Sequence, residues 1–187
     1  MSEGIYDSMK DRFERGYVQI YTGNGKGKTT ASIGLTLRAL GAGMRVLFAQ
    51  LIKGSKYSEI KMLERISDLG GSITFKQYGE GRFIVGPPSE SDKEAAKIGL
   101  EEIRTAMKSG EYDLVVLDEA NVAAKLGLIS FSDLISLIDD KPPMVELVLT
   151  GRGASDELIE RADLVTEMRE IKHYYQKGVM ARMGIES

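Results

Sequence analysis

The sequence predicts an α/β fold with a mostly parallel central sheet of about six strands flanked by helices. Three observations carry this expectation. Short apolar runs bounded by turn residues alternate with longer amphipathic stretches, the pattern of strands and helices in succession. Two of the runs, residues 45–51 (RVLFAQL) and 114–117 (LVVL), are nearly unbroken in their apolar character, as strands covered on both faces are. The first candidate strand also runs directly into a glycine-rich segment and then into a helical pattern.

Taken in order, residues 17–21 form the first strand, and TGNGKGKTT (22–30) follows it as a loop. A helix then carries Ile33, Leu37 and Leu40 inward until Gly41 and Gly43 stop it. Residues 45–51 make the second strand. Over residues 57–69, Ile60, Leu63 and Ile66 recur at nearly one helical turn, Gly70 and Gly71 end the pattern, and a third strand follows at 73–78. Residues 79–91 (GEGRFIVGPPSES) hold glycines and a proline pair that forbid regular structure, and loops of this length tend to be functional. Ser91 and Glu94 have capping-box spacing, opening a helix with an inward stripe of Ala96, Leu100, Ile103 and Met107. The strand at 114–117 ends in Asp118-Glu119. A helix over 133–138, a strand over 146–150, a helix over 156–161 and a strand over 164–168 complete the alternation.

At 187 residues with 42% hydrophobic content, the chain reads as one domain spanning 1–187 with a substantial core. Residues 1–16 and 170–187 fall outside the alternation, the first as an N-terminal lid segment and the second as a C-terminal extension. The net charge of −3 gives no diffuse positive field for a nucleic acid, so phosphate binding must be local. With no Cys, thiolate metal sites, disulfides and Cys nucleophiles are excluded, which suits a reducing cytoplasm. No apolar stretch approaches the roughly 20 residues of a membrane span, and the N-terminus lacks a signal-peptide apolar region, so no membrane role is expected.

The chemistry concentrates in the loop. Glycines let successive backbone N–H groups converge on phosphate oxygens, the following helix adds its positive end, Lys28 adds a full charge, and Thr29 offers a hydroxyl suited to Mg²⁺. This is a P-loop NTPase-like unit in which the first glycine of the usual pattern is replaced by Thr22. Asp118 and Glu119, at a strand's carboxyl end, match the second acidic element of such proteins. In a parallel sheet these ends share one edge, so Thr29, Asp118 and the turn Gly151-Arg152-Gly153 can face one crevice, with Arg152 a phosphate or substrate contact. The single histidine, His173, is read as a packing or capping residue, and Met180 and Met183 as adaptable packing hydrophobes. These residues alone leave NTP hydrolysis, phosphoryl transfer and transfer of another part of a nucleotide open, as well as a nucleotide-dependent switch without turnover.

TGNGKGKTTASIG, LVVLDE, LTGRG and the closing run ADLVTEMREIKHYYQKGVMARMGIES together resemble the P-loop type of ATP:corrinoid adenosyltransferase, over about residues 17–185. The resemblance implies transfer of the 5′-deoxyadenosyl group of ATP to the cobalt of a Co(I) corrinoid, either cobalamin or cob(I)yrinic acid a,c-diamide, with release of triphosphate. It implies that Gly23, Asn24, Gly25, Lys26, Gly27, Lys28, Thr29 and Thr30 hold the triphosphate, that Arg38 contacts the nucleotide, and that Lys28 and Glu119 serve catalysis, with Arg152 the further nucleotide contact its turn provides. It implies Mg²⁺, or Mn²⁺ in its place, on Thr29 and Glu119 with Asp118 as a further ligand. Lys53-Gly54 also matches the family pattern. Phe83 is the one aromatic in the loop that carries the family's corrinoid lid, where relatives often have Trp and this chain has none. A homodimer covered by its N-terminal segments, and a flavin-dependent reductase as electron source, are the implied protein partners. The competing reading is a P-loop NTPase or small-molecule kinase.

Overall fold

The computed structural model describes residues 14–52, 58–78 and 86–186. Its sheet is six-stranded and parallel throughout, in the order β3-β2-β4-β5-β1-β6. The strands are β1 (Val18–Thr22), β2 (Val46–Gln50), β3 (Ile73–Gln77), β4 (Leu114–Asp118), β5 (Glu146–Thr150) and β6 (Leu164–Glu167). The helices are α1 (Lys28–Gly41), α2 (Ser58–Asp68), α3 (Glu90–Lys108), α4 (Ala120–Lys125), α5 (Phe131–Asp139) and α6 (Asp156–Arg161). Among the described residues no helix is long and apolar enough to cross a membrane.

Alternation along the strands sorts the core into two layers. Leu47, Ala49, Val115, Leu117, Leu147 and Leu149 pack with α3, α4, α5 and α6, whereas Val46, Phe48, Leu114, Val116 and Val148 pack with α1 and α2. With both faces covered, β2 and β4 bury every residue, which is why their sequences read as apolar runs.

Four expectations change. The α1 face turned to the sheet is Ser32, Thr36 and Ala39, while Leu37 is 49% exposed. Small residues at this i, i+4, i+7 spacing let the helix lie close to the sheet, and bulk is displaced to its flanks. The capping box of α3 is Ser89 with Asp92, not Ser91 with Glu94: Ser89 Oγ accepts from Asp92 N, and Asp92 accepts from Ser89 N. Pro87-Pro88 keeps the chain extended up to Ser89, so the helix starts at the first residue able to cap it. Helix α4 has no counterpart in the sequence reading, because six residues are too few to show a period. Met180 and Met183 are not packed among the described residues; both are largely exposed.

Candidate functional site

The carboxyl ends of the strands converge on a cleft of about 930 Å³, lined by the 25–30 loop, Gln50, Asp118, Glu119, Arg152 and the tail residues Gly184, Ile185 and Glu186. Its floor is the loop between β1 and α1. Gly23 and Gly27 have φ of 94° and 123°, values that side chains rarely tolerate. A Cβ on Gly23 would stand 2.4 Å from Met168 O, so the loop also presses against the end of β6, where Gly25 N donates to Met168 O at 2.7 Å. Thr22 occupies the place of the usual first glycine for a structural reason: its hydroxyl accepts from Ala154 N at 3.3 Å and ties the loop to the turn after β5.

Gly27 is the N-cap of α1, and no side chain caps that end of the helix. The first-turn amides and the helix dipole therefore face the cleft, the local physics of an anion site. Lys28 is buried beneath the loop, and its Nζ donates to Gly23 O and Gly25 O, both at 2.8 Å. Burial, and then Arg152, lower its pKa, while Glu119 and Asp118 oppose them.

Asp118 is 1% exposed at the end of β4. Oδ1 accepts from Thr150 Oγ1 at 2.7 Å and Oδ2 from Gln50 Nε2 at 3.0 Å, and Thr29 lines the same cleft. Burial raises its pKa, while the Thr150 and Gln50 hydrogen bonds, the Thr29 hydroxyl and the charge of Lys28 act to lower it. Glu119 follows in a left-handed conformation, φ 58°, the only non-glycine residue with positive φ among the described residues. Its N–H donates to Thr150 Oγ1 at 3.0 Å, which holds the bend and turns the side chain away from the strand. Burial and the neighbouring Asp118 raise the Glu119 pKa, and Lys28 and Arg152 lower it. Asn121, fully buried on α4, donates Nδ2 to Gly151 O at 3.0 Å and so anchors the turn that presents Arg152.

The fold thus gathers Gly25, Lys26, Gly27, Lys28, Thr29, Thr30, Asp118, Glu119 and Arg152 around one cleft. Gly23 sits beneath the loop as an acceptor for Lys28, and Asn24 is exposed at its outer turn. Arg38 is not brought to this cleft: it lies exposed in the last turn of α1, about 15 Å along the helix from Lys28 at 1.5 Å per residue. Phe83, Lys53 and Gly54 lie outside the described residues, as do residues 1–13 of the expected lid. No group of three or more His, Asp or Glu that could hold a metal ion occurs among the described residues.

Sequence reasoning missed Gln50 and the return of the tail. Glu186 accepts from Arg182 N at 2.8 Å, from Arg182 Nε at 3.2 Å and Nη2 at 2.9 Å, and from the Tyr174 hydroxyl. Those bonds from Arg182 and Tyr174 hold its carboxyl down at about 2. His173 acts as a cap, its Nδ1 accepting from Tyr175 N at 3.1 Å to start the short 3₁₀ turn Tyr174–Lys177. The closing run of the sequence is therefore a clasp that swings residues 184–186 onto the cleft wall.

A parallel sheet with a glycine loop, a buried lysine and two strand-end acids in one cleft defines a P-loop nucleotide-binding protein. Solved structures share the fold: a KaiC-like protein, PH0186 of Pyrococcus horikoshii, matches with a TM-score of 0.53 at 17% identity, covering 83% of this chain and 73% of that one. The flagellar accessory protein FlaH of Methanocaldococcus jannaschii also matches with a TM-score of 0.53, at 11% identity over 82% and 71%. Within that class the chain belongs to the ATP:corrinoid adenosyltransferase BtuR/CobO/CobP family, whose model matches residues 14–187. It is 35% identical to a corrinoid adenosyltransferase of Pseudomonas aeruginosa, over 94% of this chain and 85% of that protein. It is 33% identical to corrinoid adenosyltransferase CobA of Salmonella typhimurium, over 92% and 86%.

Proposed function

We propose that this enzyme transfers the 5′-deoxyadenosyl group of ATP to the cobalt of a Co(I) corrinoid. The observation that carries the reading is the joining of an anion cradle, Lys28 and Arg152 in a cleft whose lining has neither Cys nor His. Such a cleft provides for a leaving group, and Co(I) is itself the nucleophile. The cobalt electron pair forms the bond to C5′, the C5′–O bond breaks, and its electron pair departs with the triphosphate. Loop amides and Lys28 stabilise that charge where it grows, and Arg152 adds a second cation to the same cleft.

Mg²⁺ fits the residues present. This ion needs few protein ligands beside phosphate and water. Thr29 offers hydroxyl lone pairs for a cation, and Glu119 supplies a carboxylate at the cleft. Asp118, with both oxygens already accepting, fits an indirect role beside Thr29. When bound, the ion would neutralise triphosphate charge; Mn²⁺ suits the same oxygen donors.

Residues 1–187 form one domain in this reading, with residues 1–16 covering the site of a homodimer, Phe83 facing the corrinoid, and 170–187 as a wall. The cytoplasm and a flavin-dependent reductase accompany it. The test is incubation with ATP, Mg²⁺ and chemically reduced cobalamin. Triphosphate with a light-sensitive carbon–cobalt product is expected; ADP or inorganic phosphate instead would mark an NTPase or kinase and refute the assignment.

A further inference from the structure

The last residues of four adjacent strands stand side by side. Gln77 of β3 is paired with Gln50 of β2, and Gln50 with Asp118 of β4; the register that sets Leu117 opposite Leu149 places Thr150 of β5 next to Asp118. Their side chains bond laterally. Gln77 Nε2 donates to Gln50 Oε1 at 3.1 Å, Gln50 Nε2 donates to Asp118 Oδ2 at 3.0 Å, and Thr150 Oγ1 donates to Asp118 Oδ1 at 2.7 Å. Gln50 and Asp118 are 5% and 1% exposed and Thr150 is fully buried, so the belt is shielded from competing water. It ends at the cleft, whose lining Asp118 shares with Thr29 of the loop.

The direction of each bond matters. Asp118 is held by donors from both neighbouring strands, and this fixes the carboxylate against rotation. A fixed carboxylate in turn presents a charge of fixed direction to the cleft that Thr29 also lines. Gln77 supports Gln50 by donating to the oxygen whose amide partner points at Asp118, so the amide of Gln50 cannot flip without losing both bonds. Gln77 itself is absent from the cleft lining.

We propose that Gln50 and Gln77 are positioning residues for the nucleotide site, acting in series on Asp118, which shares the cleft with Thr29. The inference rests on the nucleotide reading of the cleft. It predicts that an edge strand with no ligand contact of its own influences how the loop holds a metal–nucleotide complex.

Calorimetric titration with ATP, with Mg²⁺ and in EDTA, tests this on the full chain for wild type, Gln50→Met, Gln77→Met and the double variant. Methionine keeps length and apolar volume while removing the amide. Gln50→Met is expected to weaken Mg²⁺–ATP binding about tenfold and Gln77→Met about threefold, the scale of one hydrogen bond and of its support. The double variant is expected to match Gln50→Met alone, since links in series are not additive. Metal-free ATP binding should move less than twofold in all three. Additive losses, equal losses with and without Mg²⁺, or unchanged Mg²⁺–ATP affinity in Gln77→Met would each overturn the proposal. A wild type that fails to bind ATP at all would instead refute the nucleotide reading. Should Gln50→Met fold poorly by thermal melting, half-buried Gln77 still decides, because its variant must show the metal-dependent loss by itself.

Discussion

The two walls of the cleft are built on opposite principles. On the strand-end side, Gln50, Asp118 and Thr150 are nearly inaccessible, and each polar group meets a partner from the adjacent strand. On the tail side, residues 184–186 belong to a segment whose Ile171, Met180 and Met183 are 86%, 69% and 87% exposed, and Glu186 gathers its last turn. Burial with full pairing makes the first wall stiff, because any motion leaves a desolvated group unpaired. The second wall has little apolar burial of its own, which places it at the low-stability end of the molecule, where binding surfaces that adapt are found. A stiff cradle suits a triphosphate of fixed shape, and an adaptable wall suits a large, flat second substrate.

Breaking the stiff wall should have the largest effect. Lys28→Ala removes the buried cation beneath the loop, and turnover should fall at least about 100- to 1,000-fold, the scale of losing one preorganised donor; circular dichroism should show the fold retained. Near-normal turnover in this variant would contradict the role of the loop.

Glu119→Gln should cost activity while raising Tm. Burial and Asp118 raise the Glu119 pKa, so the folded state binds its proton more tightly than the unfolded chain does. Its contribution therefore favours folding in acid and is lost as pH rises through the raised value. The advantage of the variant should be roughly 2–4 °C at neutral pH and shrink toward zero as pH is lowered below the ordinary carboxylate range. Melting curves across pH check the sign, and an advantage that grows in acid would be the wrong one.

On the adaptable wall the effects should be smaller. Arg182→Met removes two of the side-chain bonds that hold Glu186, those from Nε and Nη2. Hydrogen exchange over residues 174–186 should accelerate and KM should rise several-fold, with Tm nearly unchanged. An equal fall in Tm would show the tail to be part of the core. Deleting residues 1–13 should raise KM for the corrinoid more than it weakens ATP binding; equal shifts in both would count against a lid role.

Strands, helices and the phosphate loop were legible because their signals are local. An apolar run announces β4, glycines and a lysine announce the loop, and β5 and α6 lie where residues 146–150 and 156–161 place them. Local chemistry also announced Asp118 and Glu119 at a strand end. Capping was harder, since two serine–acid pairs compete at the start of α3 and the proline pair chooses between them. The inward face of α1 was misread because periodicity sees hydrophobicity, whereas close approach to a sheet selects for small size.

What the sequence determined by itself was therefore the set of elements and the chemistry carried at their ends. The tertiary structure alone decided which ends became neighbours. Gln50 bonds with Asp118 across 68 residues of chain, and Glu186 lines the same cleft as a loop at the other end of the sequence. Strand order and register are outcomes of packing between distant segments, and no periodicity within either partner encodes them.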